Sequence, residues 1–86
     1  MYELYYKLRK SEERSRSSKI DINEYETDGE VEASSRGEAL RKWYLGDVVH
    51  ADRVRKPEEG DVIKDPTERY FILTGVGIWS LVTLSD

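Results

Sequence analysis

The first eight residues alternate between apolar and polar positions. Residues 2–8 carry tyrosine or leucine at every even-numbered position, with Glu3, Tyr5 and Lys7 between them. Successive side chains of a β-strand point to opposite faces of the sheet, so this period of two predicts a strand with one apolar face. Runs of apolar and β-branched residues predict further strands at residues 48–56, 69–74 and 78–84.

An acidic hairpin is predicted between these segments, over residues 21–32. Ile20 and Ile22 alternate with polar residues, which suggests a short first strand. Asp28-Gly29 is typical of a two-residue hairpin turn, because a type I′ turn needs positive φ at both central positions. We therefore expect the chain to reverse at this dipeptide, with a return strand directly after it.

One helix is predicted over about residues 35–45. Ser35 is suited to the N-cap, and Glu38 stands three residues later, as in a capping box. Gly46 then supplies the residue that most often follows the end of a helix in the left-handed conformation. Between these caps, four side chains fall on one arc of the helix, which is expected to pack on a sheet. They are Ala39, Leu40, Trp43 and Tyr44.

The chain has 86 residues, which predicts a single domain over residues 1–86. Strands outnumber the helix, so the predicted fold class is α+β, a curved antiparallel sheet with one helix packed on one face. Residues 10–18 contain no apolar side chain and are expected to form a mobile polar loop. The face of the sheet away from the helix is expected to be solvated or covered by a partner.

Charge is arranged in blocks along the chain, whose net charge is −4. Residues 20–35 hold six acidic and no basic side chains, whereas residues 36–56 hold six basic and three acidic ones. Such blocks favour pairing of oppositely charged strands within the fold. They also allow a surface with one charged face directed at a partner.

Composition disfavours several classes of function. The chain has no cysteine, which excludes disulfides, thiolate nucleophiles and cysteine-based metal sites. The one histidine, His50, has only Asp52 as a nearby partner, so no enzymatic activity, cofactor or metal site is predicted. The longest apolar stretches are far below the roughly 20 residues of a membrane helix, and the N-terminus lacks the features of a signal peptide. We expect a cytoplasmic protein that does not bind membranes.

The leading hypothesis is a non-catalytic interaction module. It would bind a protein partner, or associate with itself, through an exposed face or edge of the sheet. The aromatic residues support this hypothesis, because tyrosine and tryptophan are rigid, amphipathic and common at interfaces. The candidate partner-binding residues are Tyr5, Tyr25, Trp79, Arg53 and Arg55.

Two alternatives use the charge blocks. A nucleic-acid-binding accessory protein would use the basic region 36–56, although a sequence pI of about 5.0 is low for that class. Its arginine forks would bind phosphates beside aromatic rings. The residues of this alternative are Arg36, Arg41, Lys42, Arg53, Arg55 and Lys56. A small acidic inhibitor encoded by a mobile element would instead act through the 21–32 hairpin, whose carboxylates would mimic a phosphate backbone.

Overall fold

A computed structural model of the chain describes residues 1–8, 19–51, 54–75 and 77–84. The described residues contain β1 (Tyr2–Lys7), β2 (Lys19–Ile20), β3 (Tyr25–Val31), α1 (Arg36–Leu45), β4 (Val62–Lys64), β5 (Tyr70–Gly75) and β6 (Ile78–Leu84). A 3-10 helix, Ile22–Glu24, precedes β3. The mobile loop predicted at residues 10–18 lies outside the described residues.

The strands form one sheet in the order β2-β6-β5-β4-β1-β3. Neighbouring strands are antiparallel, except that β2 runs parallel to β6. β2 and β3 occupy opposite edges of the sheet, yet only residues 21–24 separate them in the chain. Because so short a link joins the two edges, the sheet curls into a half-barrel. The predicted α+β class is confirmed, with a mixed and mostly antiparallel sheet.

α1 packs on one face of this sheet, which we call the helix side. Leu4 of β1 and Ile63 of β4 are direct cross-strand partners, and both are fully buried. They belong to one core cluster with Leu40 and Trp43 of the helix. The alternation predicted for β1 is confirmed, because Leu4 faces the helix while Tyr5 lies on the opposite face.

The opposite face, the curled side, has a core of its own. Ile20, Tyr25, Val62 and Val82 form a second buried cluster. Ile20 and Tyr25 belong to strands at opposite edges of the sheet, so the curl brings both edges over this face. The expectation that this face is left to solvent or to a partner is wrong, because the sheet covers it by closing on itself.

The helix prediction is confirmed in its bounds and its caps. The Ser35 hydroxyl accepts a hydrogen bond from the Glu38 amide at 3.2 Å, and Gly46 ends the helix with φ of 75°. The carboxylate of Glu38 accepts from the Ser34 amide at 3.1 Å. These contacts satisfy donors that would otherwise be orphaned at the first turn of the helix.

The hairpin predicted at Asp28-Gly29 is absent, and both residues lie inside β3. Gly29 does have a positive φ, of 92°, but it lies where the pairing of β3 with β1 is irregular and not in a turn. Between Glu3 and Tyr5 of β1 the register shifts, as it does where a glycine-containing bulge inserts an extra residue. The positive φ expected at Gly29 is confirmed, whereas the positive φ expected at Asp28 and the turn itself are wrong.

The strand predicted at residues 48–56 is also wrong. Among its described residues only Val49 pairs with another strand, through an isolated bridge to Glu30. His50 has φ of 61°, which interrupts any extended run. The central strand β4 (Val62–Lys64) follows later in the chain. It was not predicted, because it spans only three residues and the burial of both Val62 and Ile63 removes the alternation that marks a strand.

Candidate functional site

β6 exposes an unusual amount of apolar side chain for a strand of the main sheet. Ile78 is 61% exposed, Leu81 55% and Leu84 38%. By the register, Leu81 lies on the helix side, opposite Phe71, and Ile78 and Leu84 share the curled side with Val82. Because these exposed apolar side chains fall on both faces of a single strand, β6 is the first candidate for a functional surface.

The backbone of β6 is paired unequally on its two sides. One side pairs with β5 along the strand, from Ile78 to Val82. The other side pairs, among the described residues, only where Lys19 and Ile20 meet Thr83 and Leu84. We call the stretch 78–82 on that second side the open edge of β6.

The described residues of the open edge lack two common protections against strand addition. Natural proteins protect edge strands with lysine and other charged residues, proline or bulges. The sequence Ile78-Trp79-Ser80-Leu81-Val82 contains no charged residue and no proline. The backbone groups on this side that have no strand partner among the described residues, together with Leu81, therefore offer a template on which another strand can pair.

A shallow groove lies beside β6 on the helix side, at the N-terminus of α1. It has a volume of about 460 Å³ and is open to solvent on one side. Backbone and hydroxyl groups of the first helical turn meet aromatic rings of β1 and β6 there. The lining residues are Tyr2, Ser34, Ser35, Arg36, Gly37, Gly77 and Trp79.

Most polar groups at this end of the helix are already paired. The Glu38 carboxylate accepts from the hydroxyl and the amide of Ser34, and these hydrogen bonds lower the pKa of Glu38. Lys42 lies 3.5 Å from the same carboxylate and also donates to the Glu32 carbonyl at 2.6 Å. Glu38 is therefore held by its own neighbours and does not project its charge freely into the groove.

Arg36 differs from its neighbours in having no acidic partner among the described residues. Its guanidinium lies 3.9 Å above the centre of the Phe71 ring, as in a cation–π contact. The Nε atom is buried without a hydrogen-bond partner. The helix thus places a positive charge over β5, next to the exposed Leu81 of β6.

The structure separates the predicted partner-binding residues. Tyr25 is only 7% exposed, because its ring packs in the curled side and its hydroxyl donates to the Gly60 carbonyl, so its expected surface exposure is wrong. Tyr5 is half-buried on the same face, 6.3 Å from the Tyr70 ring. Trp79 lines the groove on the other face. Arg53 lies outside the described residues.

Three described members of the predicted basic set contact other residues of the fold. Arg55 stacks over Tyr6 at 4.5 Å, Arg36 stacks over Phe71, and Lys42 pairs with Glu38. Arg41 and Lys56 are exposed on separate elements. Three of these cations are thus engaged within the fold, which leaves little of the patterned basic surface that phosphate binding needs.

The acidic region 21–32 is not a hairpin, which corrects the geometry assumed for the inhibitor alternative. Its first part is the 3-10 helix and its second part is β3. Asp28 is buried at 1% exposure and accepts from the Trp43 indole nitrogen at 2.6 Å. The carboxylate of Asp28 therefore serves the core and is unavailable to a partner.

The described residues contain no group of three or more histidine, cysteine or acidic residues placed to hold a metal ion. His50 is exposed on an irregular segment, and its suggested partner Asp52 is outside the described residues. None of the described helices has the length and apolar character needed to cross a bilayer.

Sequence reasoning named Trp79 but missed Ile78, Leu81, Leu84 and the groove. The available signal was the absence of charge from residues 78–84 in a chain whose residues are 37% charged. Which side of that segment stays unpaired depends on strand order, and strand order is not encoded in the pattern of a single strand.

Comparison with known proteins found no protein-family model, no curated protein and no solved structure that matches the chain. The function is therefore inferred from the geometry of β6 and of the groove beside it.

Proposed function

We propose that this chain is a non-catalytic interaction module that binds another protein chain through the open edge of β6. One observation carries the proposal. In the described part of the chain, β6 pairs on its second side only at Thr83 and Leu84, while Ile78 and Leu81 are more than half exposed. An extended segment can add to such an edge, with main-chain hydrogen bonds giving affinity and side-chain pockets giving specificity.

The exposed side chains supply the hydrophobic part of the binding energy. Leu81 lies on the helix side and Ile78 on the curled side, so an added strand shields apolar surface on both faces. Full burial of one such side chain contributes about 1.5–3 kcal/mol, from which the entropy of association is subtracted. The groove lined by Tyr2 and Trp79 offers a pocket for a side chain of the added strand.

The geometry favours this function over binding of nucleic acid. A nucleic-acid surface needs clustered cations free to meet phosphates. Arg36 and Arg55 instead lie against aromatic rings of the fold, and Lys42 is paired with Glu38. The apolar, uncharged edge of β6 is better suited to a polypeptide partner.

Site-specific photo-crosslinking in the cells that naturally produce the protein tests the proposal. A benzophenone amino acid replaces Leu81 in one variant and Leu45 in a matched control. Leu45 is 73% exposed and lies at the far end of α1 from the groove. We expect a discrete adduct from position 81 that excess unlabelled protein competes away, and no such adduct from position 45.

Two results count against the proposal. Position 81 gives no competable adduct, or both positions give the same adducts with equal yield. Either result means that β6 is not where the chain meets its partner.

A further inference from the structure

We infer that the segment added to β6 comes from a different protein and carries an acidic side chain directed at Arg36. This inference rests on the proposed function and adds the chemistry of the partner. It depends on the charge beside the open edge. That charge is positive, and the β6 strand of a second copy would bring no negative charge to pair with it.

The surface that an added strand would meet has a single sign of charge. β5 and β6 contain no charged residue over Tyr70–Gly75 and Ile78–Leu84. Among the residues lining the groove, Arg36 is the charged one. The nearest carboxylate on the helix, Glu38, is already bound to Ser34 and Lys42.

Comparison with a second arginine over the same ring shows what Arg36 lacks. Arg69 lies 5.7 Å from the centre of Phe71, and its Nε is 3.3 Å from the Asp65 carboxylate. Arg36 sits closer to the ring, at 3.9 Å, and has no carboxylate partner among the described residues. A carboxylate from outside the chain would pair with Arg36 as Asp65 pairs with Arg69.

The distances allow that contact. Phe71 is the direct cross-strand partner of Leu81, so a strand added to β6 lies two strand spacings, roughly 10 Å, from β5. That separation slightly exceeds the Debye length of about 8 Å at physiological salt, so Arg36 acts on the added strand mainly through direct contact. A glutamate on the helix side of the added strand can extend across Leu81 and close the remaining gap.

The N-terminus of α1 strengthens the preference for an acidic side chain. Helix N-termini carry a partial positive charge and favour nearby anions. Gly37 occupies the first turn in the wall of the groove and has no side chain to obstruct an approaching carboxylate. Arg36 and the N-terminus of α1 therefore both favour an acidic side chain on the helix side of the open edge.

A second copy of the chain is a poorer occupant. Antiparallel pairing of β6 with β6 would place two uncharged strands side by side, and neither strand has a carboxylate to offer the other copy's Arg36. Both copies would instead bring an arginine and a helix N-terminus to the same interface, where like charges disfavour association.

Selection from a random ten-residue peptide library displayed on phage tests the inference on the whole chain. We expect the bound peptides to alternate apolar residues and to be enriched in aspartate or glutamate at one fixed position. The best sequence is then synthesised with acetylated and amidated ends, so that only side chains carry charge. Its affinity is measured by fluorescence anisotropy.

The charge contact is then isolated by a double-mutant cycle. Glu→Gln in the peptide and Arg36→Gln in the protein are each expected to weaken binding about tenfold, and together hardly more than either alone. Arg41→Gln, on another side of the same helix, should leave the affinity unchanged. Circular dichroism checks folding, and the peptide variant needs no change to the protein.

Leu81→Ser and its control Leu45→Ser test the edge itself. In one outcome, peptides bind and lose affinity with Leu81→Ser, but they show no acidic preference and no dependence on Arg36. That outcome supports the docking edge and contradicts the acidic partner. If no peptide is selected, or binding ignores Leu81, both proposals fall. A dimer in light scattering that Leu81→Ser converts to a monomer assigns the edge to a second copy and overturns the inference.

Discussion

Asp28 ties three separate parts of the chain together at a single buried carboxylate. Its Oδ2 accepts hydrogen bonds from the Trp43 indole nitrogen at 2.6 Å and from the Arg55 amide at 2.9 Å. It thereby connects β3 to α1 and to the irregular segment that follows the helix. A buried carboxylate is costly unless donors surround it; these two contacts satisfy Oδ2, whereas Oδ1 is buried without a hydrogen-bond partner among the described residues.

Replacement of Asp28 by alanine is expected to lower the free energy of unfolding by about 2–4 kcal/mol, because two buried donors lose their acceptor. Urea denaturation measures this change. Glu26→Ala on the same strand is the matched control. Glu26 is exposed and accepts only from the Tyr6 hydroxyl, so a loss below about 0.5 kcal/mol is expected there. Equal losses for the two variants would contradict the role assigned to Asp28.

Tyr25 gives the fold a sensitivity to alkaline pH. Burial, followed by the negative charges of Asp61 and Glu24, raises the pKa of Tyr25 to about 12 from 10.0. The unfolded chain therefore releases this proton first, and the tyrosine's contribution to stability is lost as pH rises from 10 towards 12. The free energy of unfolding is measured by urea denaturation at pH 9–11. In Tyr25→Phe we expect it to fall less steeply with rising pH than in the unmodified chain. In Tyr44→Phe, a control at the surface of α1, the fall should be unchanged.

At the scale of elements, the helix could be predicted and part of the sheet could not. Ser35, Glu38 and Gly46 act within a few residues of one another, so the sequence alone contains the signals that start and end α1. The position of β5 and β6 followed in the same way from long runs of β-forming residues. β4 was missed because Val62 and Ile63 are both fully buried, which removes the alternation that marks a strand.

Residues 48–51 are held by backbone contacts that no local pattern contains. The amides of Glu30 and Val49 each donate to the other's carbonyl at 2.9 Å. Gly29 makes this approach possible, because a Cβ at that position would meet the Val49 carbonyl oxygen at 2.4 Å. The sequence shows a glycine at position 29, but only the fold shows that the Val49 backbone lies against it.

Gly29→Ala is expected to destabilise the fold by more than about 2 kcal/mol, because it combines a positive φ with a steric clash. Gly46→Ala separates the two effects. Gly46 also has a positive φ, of 75°, but nothing lies within 4 Å of an added Cβ. A cost of about 1 kcal/mol is therefore expected at Gly46. Thermal unfolding of both variants measures the difference, and equal costs would show that the close approach to Val49 is unimportant.

At the scale of the whole molecule, the curl of the sheet decides which surfaces are available. It buries Tyr25 and covers the face that sequence reasoning left to a partner. Among the described residues, the other side of β6 is paired only at Thr83 and Leu84, by the two residues of β2. The sequence left both a sheet face and a sheet edge open as candidate sites, and the strand order favours the edge. Trp79 lines the groove beside that edge.

Hydrogen–deuterium exchange of individual backbone amides, followed by NMR on the isolated chain, tests the open edge of β6 most directly. Amides of residues 78–82 that point away from β5 should exchange fast, while amides of β5, which has a strand on each side, should exchange slowly. Binding of a selected peptide should then slow the fast amides of β6. Slow exchange of every amide in residues 78–82 of the free chain would show that the edge is already occupied, and would contradict the account.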